Sequence, residues 1–156
     1  MIIYSDMDGV LTDFDQRFMH FSNGIPPNEF ESKYGVEKFW ELIDITVGIP
    51  FWAGMKWLDD GKEYWNYIKK YTPIILSAPS KREESRYGKR IWKKRNLPST
   101  KMILTRAVDK AKYANKDSIL IDDRKQNIDH WIESGGIGIL HTSAKDTIKQ
   151  LKKLGL

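Results

Sequence analysis

Ile2-Ile3-Tyr4-Ser5-Asp6-Met7-Asp8-Gly9-Val10-Leu11-Thr12-Asp13 carries the chain from an apolar run straight into two aspartates, a glycine and a further acid. Ile2-Ile3-Tyr4 shows no polar alternation, which suits a strand covered on both faces, as in a parallel sheet. Similar runs recur at Ile74-Ile75-Leu76, Met102-Ile103-Leu104, Ile119-Leu120-Ile121 and Ile137-Gly138-Ile139-Leu140. Helix-like stretches over 61–71, 81–95, 107–115, 125–134 and 143–154 separate or follow them, so strand and helix alternate. The pattern predicts an α/β fold with a doubly wound, mostly parallel sheet of five strands.

One interval is far longer than the rest, because residues 5–73 separate the first apolar run from the second. Within it, Phe14 to Phe21, Phe30 to Tyr34 and Val36 to Ile45 read as aromatic, helical segments broken at Gly24-Ile25-Pro26-Pro27 and Gly48-Ile49-Pro50. We expect a single domain of 156 residues with a core of 1–13 and 57–156 and a small helical cap over about 14–56, inserted after strand one.

Ligands of open α/β sheets bind beyond the carboxyl ends of the strands, so the residues after each apolar run carry the functional signal. Those residues are Asp6-Met7-Asp8-Gly9, then Ser77-Ala78-Pro79-Ser80, then Thr105-Arg106, then Asp122-Asp123-Arg124. Acids gathered in a low dielectric repel one another unless a cation neutralises them, and an all-oxygen donor set favours Mg2+. A metal-held aspartate and a neighbouring carboxylate nucleophile together suit phosphoryl transfer. The chain contains no cysteine, which excludes disulfides, thiolate nucleophiles and cysteine zinc sites.

Other classes are narrowed by composition. No apolar stretch approaches the ~20 residues of a membrane span, and the first residues lack the basic start and long apolar run of a secretion signal, so a cytoplasmic protein with no membrane partner is expected. The formal charge of +5 and a pI near 9.3 favour anionic partners without distinguishing a phosphorylated metabolite from a nucleic acid.

Asp6-Met7-Asp8-Gly9-Val10-Leu11-Thr12-Asp13 resembles the first motif of haloacid dehalogenase-like (HAD) superfamily phosphatases, and Ser77, Asp109-Lys110 and Asp122-Asp123 match the remaining motifs in order. The resemblance implies Asp6 as nucleophile and metal ligand. It implies Asp8 as general acid/base, with its carbonyl oxygen lent to magnesium. Ser77 and the Ala78 amide would bind the phosphoryl group, and Lys110 would steady its charge. Lys112 would face the same crevice if its helix starts later. Asp123 is favoured as the direct metal ligand, with Asp122 behind it.

Within that superfamily the chain is most similar to 5'(3')-deoxyribonucleotidases, through Asp6 to Phe14, Phe39-Trp40, Leu104-Thr105-Arg106 and Leu120-Ile121-Asp122-Asp123-Arg124. The likeness implies that Phe14, Phe39 and Trp40 line the pocket for base and sugar, where a flat base gains by stacking on rings. The implied activity is a magnesium-dependent phosphomonoesterase with an aspartyl-phosphate intermediate and a small phosphorylated substrate, a nucleotide. Two departures bear on the substrate: the cap is smaller, and two residues separate Arg106 from Asp109-Lys110. A phosphatase of nucleic-acid ends is the enzymatic alternative, and a non-catalytic nucleotide or nucleic-acid binding module is the other.

Lys81 to Arg95 carries eight basic residues. It reads as an amphipathic helix with Tyr87, Ile91 and Trp92 inward and a solvated basic face, or as a nucleic-acid footprint. Asp13 and Asp109 suit helix caps. Trp57, Trp65, Trp92 and Trp131 suit packing, and Gly135-Gly136 suits a helix C-terminus. His20, His130 and His141 show no metal-ligand spacing.

Overall fold

A computed structural model describes residues 1–156. The opening apolar run forms β1 (Ile2–Ser5), and the later runs form β2 (Ile74–Ser77), β3 (Met102–Leu104), β4 (Ser118–Asp122) and β5 (Ile137–Leu140). All five lie parallel in the order β3-β2-β1-β4-β5, giving the doubly wound α/β sheet that the alternation predicts. The strand order reverses at β1, the position where such sheets open a crevice at their carboxyl ends.

Eight α-helices accompany the sheet: α1 (Phe14–Phe21), α2 (Pro27–Tyr34), α3 (Val36–Glu41), α4 (Ile49–Ala53), α5 (Gly61–Ile68), α6 (Glu83–Asn96), α7 (Lys125–Glu133) and α8 (Ala144–Lys153). The stretch read as a helix over 107–115 is a 3₁₀ helix, Ala107–Tyr113. The chain forms two compact units, one of residues 1–12, 57–78 and 100–156, the other of 13–56 and 79–99.

In the first unit, Tyr4, Leu76 and Leu120 on one sheet face bury against Ile128 and Trp131 of α7. The Trp131 ring meets Tyr4 edge-on at 5.3 Å. On the other face the Tyr64 hydroxyl of α5 donates to Ser5 Oγ at 3.0 Å, and α8 packs beside α5. Cover on both faces is why these strands carry no polar alternation. Gly135, at φ +91°, ends α7 with the Gly136 N–H donating to Trp131 O, a glycine C-terminus as the sequence suggests.

The second unit holds α1 to α4 and α6. Asp13 caps α1 by accepting the Gln16 N–H at 3.0 Å. Rings fill the interior: Phe18 stacks on Phe39 at 4.8 Å and takes Phe30 edge-on at 5.3 Å. The Gly48-Ile49-Pro50 break is short, because the chain turns at Gly48 (φ +73°) and re-enters a helix, α4.

Helix α6 corrects the inward set expected for the basic segment. Ser85, Gly88, Lys89 and Trp92 are buried, whereas Tyr87 is 55% exposed. The cause is Gly88: a methyl group there would overlap Trp52 Cβ and lie 2.8 Å from the Ile49 carbonyl. Close approach to α4 turns the glycine inward and its neighbour Tyr87 outward. Lys89 lies buried, its ammonium 4.8 Å from the centre of the Trp52 ring, and Trp92 Nε1 donates to Met55 O at 2.9 Å. No helix is long and apolar enough to cross a membrane.

Candidate active site

Strands β1 and β4 run in register from Ile2↔Ser118 to Ser5↔Ile121, and the Asp6 N–H extends the ladder by donating to Ile121 O at 2.8 Å. Asp6 therefore leaves β1 alongside Asp122, the last residue of β4. Lys110, from the 3₁₀ helix, joins them: its Nζ donates to Asp6 Oδ1 at 2.9 Å and to Asp122 Oδ2 at 2.7 Å. Lys112 does not enter this cluster. It is 74% exposed and pairs at 2.8 Å with Asp109, which also accepts from Arg106 Nε at 2.6 Å. Asp109 is thus held in a surface ion triad and does not cap a helix.

The two acids of Asp122-Asp123 have different surroundings. Asp122 is fully buried and accepts from Lys110, from Asn127 Nδ2 at 3.0 Å and from the Arg124 N–H at 2.8 Å. Asp123 is exposed, and its carboxylate lies against Gly9, where a Cβ would overlap it. One carboxylate oxygen from each of Asp6, Asp122 and Asp123 falls within 4.8 Å of the others.

The crowding shows in their protonation. Burial pushes the Asp6 carboxyl up to about 7; Lys110 opposes the rise, while Asp122, Asp123 and Asp8 reinforce it. Burial and then the Asp122 charge lift Asp123 to about 6. Burial works against the Lys110 charge, yet Asp6 and Asp122 outweigh it and its pKa rises, so the ammonium stays protonated. With all three ionised, the carboxylates against one ammonium leave two negative charges. A hard divalent cation on oxygen donors balances that remainder, so the residues present fit one.

Asp8 sits in a tight loop closed by the Gly9 N–H donating to Thr12 O at 2.8 Å, with Gly9 at φ +80°. Thr12 Oγ1 donates to Asp8 Oδ1 at 2.9 Å and orients that carboxylate. Behind Asp6, Ser5 Oγ accepts from Tyr64 and donates to Asp6 O at 2.9 Å. Burial raises the Tyr64 pKa, which keeps the phenol a donor. Ser77 ends β2, buried, with its carbonyl accepting the Thr105 N–H at 3.0 Å, and Ala78 follows it out of the strand.

Asp6, Lys110, Asp122 and Asp123 are brought together in the first unit, which also contains Asp8, Ser77 and Ala78. Phe14, Phe39 and Trp40 belong to the second unit. There Phe39 is buried against Phe18, Phe14 is half-buried and Trp40 is exposed. Thr12, Asn127 and the Tyr64–Ser5 pair escape the sequence reading. Asn127 had a signal, an amide on the first turn of the helix after a strand-end acid; Tyr64 had none, since only the folded sheet brings it to Ser5.

No protein-family model matches the chain, and no curated protein resembles it significantly in sequence. Its fold does resemble solved structures. A hydrolase from Streptococcus pneumoniae TIGR4 is 15% identical, over 96% of this chain and 97% of that one, with a TM-score of 0.58. A HAD-superfamily hydrolase from Ehrlichia chaffeensis is 13% identical over 99% and 97%, with a TM-score of 0.55. A predicted phosphatase from Clostridium acetobutylicum is 14% identical over 88% and 82%, with a TM-score of 0.54. The fold is HAD-like.

Proposed function

We propose that this chain is a phosphomonoesterase that uses Asp6 as nucleophile, Asp8 as general acid/base and Mg2+ held by Asp6, Asp123 and the Asp8 carbonyl. Asp122 stands behind them, anchoring Lys110. The observation that carries the reading is the buried Asp6 carboxylate, bridged by Lys110 to Asp122 while Asp123 opens beside it. When bound, the ion supplies positive charge that offsets charge developing on the phosphoryl oxygens.

The chain's own groups account for the bond changes. An Asp6 carboxylate oxygen bonds to phosphorus as the ester P–O bond breaks, and the Asp8 carboxyl proton passes to the leaving oxygen. Asp8, now ionised, takes a proton from water as that water attacks phosphorus and breaks the Asp6–O–P bond. Inorganic phosphate leaves and Asp6 is regenerated. Thr12 holds the Asp8 carboxylate in place through both steps. Lys110 fixes Asp6 and balances phosphoryl charge, and the Ser77 hydroxyl and Ala78 N–H donate to the phosphoryl oxygens.

The substrate we assign is a nucleoside monophosphate, as in the 5'(3')-deoxyribonucleotidases that the sequence resembles. The support is that resemblance, carried by Asp6 to Phe14, Phe39-Trp40, Leu104-Thr105-Arg106 and Leu120 to Arg124. The test is phosphate release from deoxyribonucleotides, ribonucleotides and 5'- or 3'-phosphorylated oligonucleotides, with and without Mg2+. Release should need the metal and vanish in Asp6→Asn. Full turnover by Asp6→Asn would overturn the mechanism, since an amide cannot form the acyl phosphate.

A further inference from the structure

We propose that the outer face of α6 is a docking surface for single-stranded nucleic acid, with Tyr87 as a stacking platform and Arg90 and Lys94 as phosphate contacts. The inference does not depend on the chemistry at Asp6. It starts from the rotation that Gly88 imposes: with Ser85, Gly88, Lys89 and Trp92 buried, the opposite side of the helix presents Tyr87, Arg90 and Lys94 at i, i+3 and i+7. Residues at that spacing share one face, over a length of roughly 10 Å.

A solvated basic face has its charges paired or scattered and its aromatic residues turned in. Here Arg82 pairs with Glu84 and Arg86 with Glu83, but no carboxylate pairs with Arg90 or Lys94. Glu83 and Glu84 both lie in the first turn, so beyond it α6 carries no acid at all, whereas Lys93, Lys94 and Arg95 fill the last turn. Tyr87, 55% exposed, is the large ring that the apolar interior leaves out. An exposed ring amid unpaired cations is the combination that binds bases by their faces and phosphates by charge.

The same face argues against other polyanions. A membrane surface needs a strip of Leu, Phe or Trp to enter the headgroup layer. The outer strip of α6 has only Tyr87, and Trp92 is buried with its indole bonded to Met55. A duplex offers charge but keeps its base faces stacked on one another, which leaves the Tyr87 ring without a role. The single strand uses both features.

The experiment is the binding of a fluorescent mixed-sequence deoxyoligonucleotide to the full chain carrying Asp6→Asn, which prevents turnover, across a salt series. Neutralising two phosphate contacts, as Arg90→Gln with Lys94→Gln, should make the slope of log K against log salt shallower by about 1.4, at ~0.7 per phosphate of a single strand. Tyr87→Ala should weaken binding by about fivefold or more at constant salt, the loss of one stacked base. Lys145→Gln with Lys149→Gln removes the same charge from exposed lysines of α8 in the other unit and should change neither slope nor stacking. The assignment is overturned if the Arg90 and Lys94 pair matters no more than the Lys145 and Lys149 pair, or if Tyr87→Ala binds as before. Equal binding to anionic vesicles or to a duplex of the same length would overturn it as well.

Discussion

The carboxylate of Asp123 fills the space where a Cβ on Gly9 would stand, so the turn that follows Asp6 and the outer acid of the cluster fit together only while residue 9 has no side chain. A side chain at residue 9 meets two obstacles, a backbone at φ +80° and the Asp123 oxygens. Gly9→Ala should therefore displace Asp123 and raise the Mg2+ concentration for half-maximal activity at least tenfold, the range seen when support around metal ligands is disturbed. The left-handed backbone adds about 1–2 kcal/mol of destabilisation. Magnesium titration of phosphate release and a denaturant melt measure the two effects separately.

Lys110 is the one cation inside a group of acids, and Asp122 beside it is fully buried. Lys110→Met keeps the bulk of the stem and removes the charge, leaving Asp122 without its ion-pair partner. Urea melts at pH 8 should show a loss of about 3–5 kcal/mol, as for other broken buried pairs.

Asn127 touches no atom of the proposed reaction and acts through Asp122, whose Oδ2 it shares with Lys110. Asn127→Ala should lower kcat about 10- to 100-fold with little change in KM, since the fault lies in the aim of Lys110. Asn127→Asp, nearly the same shape, should be worse, because it sets a second carboxylate against a buried one. Kinetics of the two variants decide this, and an Asn127→Asp enzyme as active as wild type would remove Asn127 from the positioning set.

Stability without metal should fall as pH rises. Asp6 moves from 3.8 to about 7 and Asp123 from 3.8 to about 6 on folding, so the folded chain holds protons that the unfolded chain has lost. The stabilisation is complete below about pH 4 and is lost as pH rises through 6 to 7. Thermal melts in chelator should show that decline. Added Mg2+ should raise the melting temperature strongly at pH 7.5 and little at pH 4.5, where the acids are protonated.

The sheet is legible in the chain because its strands are buried on both faces: each of the five apolar runs becomes a strand, and the long gap after Ile2-Ile3-Tyr4 contains five of the eight α-helices. The strand-end rule finds Asp6, Asp122 and Asp123 for the same reason. That Lys110 reaches Asp6 and Asp122 while Lys112 pairs with Asp109 is visible only in the fold, since a 3₁₀ helix turns every three residues and spacing alone leaves both in contention. Tyr87 is misread because periodicity weighs hydrophobicity, whereas α6 is oriented by the smallness of Gly88 and by a lysine that buries its stem. Asn127 and Tyr64 act through partners distant in function or in sequence, which no local pattern encodes.

The position of β1 has a consequence for how the chain comes to be. Of the five strands it is synthesised before the others, yet its neighbours are β2 and β4, and Ile2 finds its partner only at Ser118. On the ribosome the central strand waits with an open edge until β4 has emerged. Closing so long a loop is entropically slow, and a bare apolar edge invites pairing with other nascent chains. Slow translation or crowded expression should tax this protein at birth far more than its finished architecture suggests.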